Sequence, residues 1–141
     1  MIREKDVVRM KVPFPSISSE LAKVSHMYVC KSSGFGTYEY IKCQTYNPLI
    51  EVRHKLKHYY VENADIARNP FSHKTLIDCD KLFYLTGVLM GDGMKTTVRS
   101  NVCDELFQNI LTELNADGYR RIVLDSVACT ELNDLVTLVE H

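Results

Sequence analysis

Only one stretch of this chain carries a sustained helical period, and it comes late. In VCDELFQNILTELN, residues 102–115, Val102, Leu106, Ile110 and Leu114 recur every four residues, with Cys103, Phe107 and Leu111 beside them. That is an apolar stripe of the width a helix buries against a core. Asn101 reads as the N-cap, Asp104 and Glu105 stand in the first turn where the helix dipole favours acids, and Gly118 supplies a stop. Everything before it has to fold by other means.

The preceding residues read as short strands cut by turns. DVVRMKV (6–12) alternates, with Val8, Met10 and Val12 on one face and Arg9 and Lys11 on the other, which is the pattern of a half-buried strand. Pro13-Phe14-Pro15 stops it, and 16–22 is a polar loop. HMYVCK (26–31) is a second strand, 32–36 is hairpin punctuation, and Thr37–Thr45 returns. Residues 47–57 turn basic, with Arg53, His54, Lys55, Lys57 and the following His58 close together. Tyr59-Tyr60-Val61 is a further strand, 65–72 a turn or short helical connector, and 75–85 a strand pair or a strand plus short turn. The tail adds a strand in RRIVLD and a short amphipathic helix capped by Thr130. The expectation is a small mainly β, α+β protein, residues 1–141 as one domain, in which a β-barrel is followed by a packed helix.

Composition removes several classes. Lys and Arg total 17 against 18 acids, so any nucleic-acid site has to be a local patch. The charged start MIREKDVV is unlike a signal peptide, and no apolar run reaches membrane-spanning length. Five cysteines with no C-x-x-C pair suit a reduced, cytoplasmic protein in which they serve as small core residues. A zinc site would need assembly from distant positions, and no metal or cofactor is implied.

Asp6, Val7, Val8, Pro13 and Phe14, followed by a loop and a strand pair, resemble the opening pattern of the MazF/PemK family of toxin endoribonucleases. TLIDCDKLFYLTG (75–87) resembles the strand that precedes that family's C-terminal helix. The likeness spans residues 5–117, and 118–141 form an extension. It implies a small SH3-like, PemK-type barrel, metal-independent cleavage of single-stranded RNA, a homodimer, and control by an antitoxin peptide or protein. The family's catalytic pair is an arginine in an Arg-Pro step entering the second strand and a threonine near the end of the third. Thr45 matches the threonine. Ser25-His26 stands where Arg-Pro is expected, with Lys23 the nearest cation.

Attack by a ribose 2′-hydroxyl needs a base, an acid and a cation near phosphorus. His26 can do either proton job, and Lys23 or Arg53 can supply the cation. Thr45 can hold a phosphate oxygen and Gln44 can read a base edge or the backbone. Arg53, Lys55 and Lys57 with Tyr46 and Tyr59 suit backbone contact and base stacking. Each has a plainer counterpart. His26 is either catalytic or structural. Thr45, in phase with Ile41 and Cys43, is either at a site or buried in the core. The basic run is either an RNA contact or a solvated face. At the level of function, the alternatives are a non-catalytic RNA- or peptide-binding module on the same fold, or an interaction protein built around its tail helix.

Overall fold

A computed structural model describes residues 1–53, 55–116 and 118–139; His54, part of the basic run, lies outside them. The strands are β1 (Val7–Met10), β2 (His26–Gly34), β3 (Thr37–Thr45), β4 (Tyr59–Glu62), β5 (Thr75–Asp78), β6 (Lys81–Thr86), β7 (Val88–Met90), β8 (Arg120–Val123) and β9 (Val136–Leu138). The helices are α1 (Glu20–Lys23), α2 (Pro48–Arg53), α3 (Asp104–Asn115) and α4 (Ser126–Leu132). Among the described residues no helix is long and apolar enough to cross a membrane. The fold is mainly β, with α3 the longest helix.

The long strand β3 organises the sheet. One edge pairs antiparallel with β2, and β1 pairs with β2 in turn. The other edge is shared: Cys43–Thr45 pair with β5, while Thr37–Tyr40 pair with β6. β4 flanks β5 antiparallel, and β8 flanks β6 in parallel. β7 and β9 form a separate two-stranded ribbon.

The sheet does not close into the expected barrel. β8, from the tail, occupies the outer edge of β6, and the outer edge of β1 receives two isolated bridges, Asp6–Asn101 and Val8–Lys95. No ladder therefore joins the two ends. Both faces are covered instead. Side chains alternate across a strand, so Tyr38 and Tyr40 of β3 face a core completed by Phe83, Met90, Ile122 and Cys129. Ile41 and Cys43 face a second core with Val29, Phe71 and the apolar stripe of α3. Leu106, Phe107, Ile110 and Leu114 are buried there, each contributing roughly 1.5–3 kcal/mol by leaving water. The extension, described to residue 139, is thus no appendage, since Ile122, Leu124, Cys129 and Val136 belong to the first core.

Several local expectations shift. The N-cap of α3 is Cys103, whose sulfur accepts from the Leu106 N–H at 3.4 Å, while Asn101 is drawn into its bridge with Asp6. Asp125 rather than Thr130 caps α4. The polar loop ends in α1, and the basic stretch begins with α2. All five cysteines are free. Burial pushes the Cys30 and Cys129 thiols up to about 12, so both stay neutral.

The β2–β3 hairpin turns on Phe35-Gly36, with φ of +52° and +77°. A two-residue turn of this hand favours Asn-Gly, because asparagine tolerates positive φ better than an aromatic residue does. Phe35 is fully exposed and loses no packing when replaced. Phe35→Asn should therefore stabilise the protein by about 0.5–1 kcal/mol in urea unfolding.

Candidate functional site

The starts of β2 and β5 and the end of β3 meet at one edge of the sheet, next to β1. Register puts Arg9 opposite Met27, Met27 opposite Cys43, and Thr45 opposite Thr75. Strands distant in sequence thus deliver Arg9, His26, Thr45 and His73 to the lining of one cavity of about 190 Å³. Gln44 and Ser25 line it too.

Thr45 shares the face of Ile41 and Cys43, but it stands past the last core residue and is exposed. The core reading of Thr45 therefore fails, because the core ends one rung earlier. His26 is half-buried, and its Nδ1 lies 3.0 Å from the Val24 carbonyl. A carbonyl only accepts, so Nδ1 carries the proton, and in the neutral ring Nε2 is left with a free lone pair. Arg9 is exposed on the outward face of β1, with no hydrogen bond or ion pair to its guanidinium among the described residues. His73 is exposed just before β5, and its carbonyl accepts from the Thr75 hydroxyl at 2.8 Å.

The other sequence candidates lie elsewhere. Lys23 ends α1, exposed, and lines none of the cavities described here. Arg53, Lys55 and Lys57 are exposed on and after α2, and the Lys57 N–H donates to Asp80 at 2.7 Å. Tyr46 carries the Lys74 ammonium 4.6 Å from its ring centre, so a base stacking on that face has to displace it. Tyr59 pairs with Asp78 at the sheet edge. Arg9 and His73 were not singled out by sequence reasoning. The only signal was Arg9 on the polar side of an alternating strand, and a histidine beside a strand start.

Two larger depressions adjoin the small cavity. A groove of about 660 Å³ shares Ser25, His26, Gln44 and Thr45 with it, and is walled by Phe14, Leu21, Ile50 and Phe83 above Lys42, Asp78 and Lys81. A shallower one of about 430 Å³ shares Arg9 and Ser25 and adds Lys11 and Lys95. Ser25 lines all three, so they adjoin one another. Lys42 is partly buried in the groove floor. Burial is the larger influence on its ammonium and pulls its pKa below that of a free lysine, against the opposing pull of Asp78. No protein-family model matches this chain, nor does any curated protein or any solved structure.

Proposed function

We propose that this chain is a metal-independent endoribonuclease that cuts single-stranded RNA by attack of the 2′-hydroxyl. The observation that carries this reading is the meeting of two imidazoles, a guanidinium and a hydroxyl in one cavity, at His26, His73, Arg9 and Thr45. His26 Nε2 takes the 2′-proton as the 2′-oxygen bonds to phosphorus. The bond from phosphorus to the 5′-oxygen breaks, and protonated His73 gives its proton to that oxygen. Arg9 and the Thr45 hydroxyl hold the non-bridging oxygens as charge develops. The products are a 2′,3′-cyclic phosphate and a 5′-hydroxyl. Arg9 takes the part of the arginine that is missing at Ser25-His26, so the cation is supplied by β1 instead of by the loop.

The resemblance to MazF/PemK toxins supports the same reading through Thr45. It extends the proposal to an antitoxin peptide or protein that restrains the activity, a homodimer, and a cytoplasmic setting. An SH3-like kinship of the open sheet is part of it, supported by the β1–β2–β3 meander and the pairing of both β5 and β6 with β3.

The test is incubation of purified protein with a long single-stranded RNA in the presence of EDTA. Fragments ending in 2′,3′-cyclic phosphate are expected, with DNA of the same sequence spared because it lacks the attacking hydroxyl. RNA left intact by a large excess of protein would sink the proposal. A non-catalytic binding module draws on the exposed cations Arg53, Lys55 and Lys57, which stand apart from the cavity. It would retain RNA at full length, with affinity falling as salt rises.

A further inference from the structure

Lys42 is the group this chemistry does not use. It sits in the middle of the sheet, opposite Tyr28 on β2, where an ammonium is costly to hold away from water unless it is paired. The acid that pulls on it most, Asp78, is already engaged. The Asp78 carboxylate takes the Lys81 ammonium at 3.1 Å and the Asp80 N–H at 2.9 Å. The Lys42 ammonium is left with no hydrogen bond or ion pair among the described residues, and it faces the groove of about 660 Å³ that runs into the small cavity.

The surroundings decide what would complete it. Phe14, Leu21, Ile50 and Phe83 give apolar walls, suited to a flat ring. A phosphate there would bring its charge against Asp78 and Glu20, which also line the groove, while the other lysine in the lining, Lys81, is already held by Asp78 at 3.1 Å. The phosphates of a bound strand have a better place across Ser25, beside Arg9 and Lys11, where Lys95 is already held by Asp6 at 3.3 Å and Asp134 is the one acid in the lining. An ammonium has donors only. A base presenting a carbonyl pairs with it, whereas one presenting an amino group in the same position sets donor against donor. Guanine O6 with N7 and uracil O4 are acceptors where adenine and cytosine carry amino groups.

We propose that the groove is a base-reading subsite next to the cleaved phosphate, in which Lys42 selects a keto base, guanine or uracil, over adenine or cytosine. Its placement beside a cleavage point rests on the ribonuclease reading, whereas base selection itself can be measured without any cleavage.

The experiment titrates the full chain with four deoxyribose pentamers, each with one base flanked on both sides by abasic residues, and with a fully abasic pentamer. These probes have no 2′-hydroxyl to attack. Wild-type protein should bind the guanine and uracil probes about tenfold or more tighter than the adenine and cytosine probes. Lys42→Met keeps the aliphatic stem and should bring the four within about twofold. Lys42→Gln, whose amide both donates and accepts, should also flatten the ratio, so a folding defect in one variant leaves the other to decide. Equal binding of all four by wild type, binding of none, or a preference that survives in both variants would overturn the proposal. An abasic strand that binds as tightly as the base-bearing ones would also overturn it, marking the groove as a phosphate site. Uncut RNA with the base preference intact would instead remove the ribonuclease reading and leave the subsite standing.

Discussion

His26→Ala should slow RNA cleavage by about 10²–10⁴-fold, the range that a positioned general base contributes, while moving the thermal midpoint by no more than about 3 °C. The two outcomes are separable because His26 is half-buried and contributes to neither apolar core. The one side-chain hydrogen bond it makes among the described residues joins Nδ1 to the Val24 carbonyl. That bond fixes which nitrogen carries the proton and so which one can accept the 2′-proton. His73→Ala, which removes the proposed acid, should slow cleavage within the same range. Full activity in both variants would remove the cavity from the chemistry, whatever RNA cleavage the protein shows.

The legibility of this fold followed the range of the interactions involved. Thr37–Thr45 was readable to the residue because alternation and the flanking turns are local signals. The stripe of α3 was equally plain, but its start was not. A cysteine sulfur caps it, and the better capping residue two positions earlier is used by β1 instead. The barrel expectation failed on a long-range fact, the parallel docking of β8 beside β6, which no nearby residue announces. The site divides in the same way. Thr45, Gln44 and His26 were visible as the end of one strand and the start of its hairpin partner, helped by the family resemblance for Thr45. Arg9 and His73 join them only through the β1–β2 and β3–β5 registers. Lys23, the nearest cation in sequence, is carried away from the cavity by α1. Nearness along the chain was the wrong measure for the cation, and register was the right one.

Asn69→Ala should cost about 3–4 kcal/mol, a large share of the roughly 5–15 kcal/mol that holds a domain of this size together. Asn69 is completely buried, and its amide is fully used. Nδ2 donates at 3.0 Å both to Glu62 Oε2 and to the Asn63 carbonyl, and Oδ1 accepts from the Phe71 N–H at 3.0 Å and the Asp65 N–H at 3.3 Å. The connection from β4 to β5 hangs from this one side chain. Truncating it strands three backbone groups at this loop, the Asn63 carbonyl and the Asp65 and Phe71 N–H groups, and leaves the buried Glu62 carboxylate with Arg68 alone, at 2.8 Å. Each such group costs about 1–3 kcal/mol when left unpaired, and thermal unfolding should begin about 10–20 °C earlier. Asn69→Asp sharpens the argument. It keeps the acceptor but turns a carboxylate toward Glu62, so like charges meet where the amide donated and the variant should stay destabilised. Phe71 packs against the α3 core directly before Ser72 and His73, so loosening this loop also displaces the proposed acid. RNA cleavage at a temperature where Asn69→Ala is still folded should therefore fall by more than its unfolded fraction explains. A cost below about 1 kcal/mol, the value of one ordinary hydrogen bond, would show that the loop is held by something other than this amide.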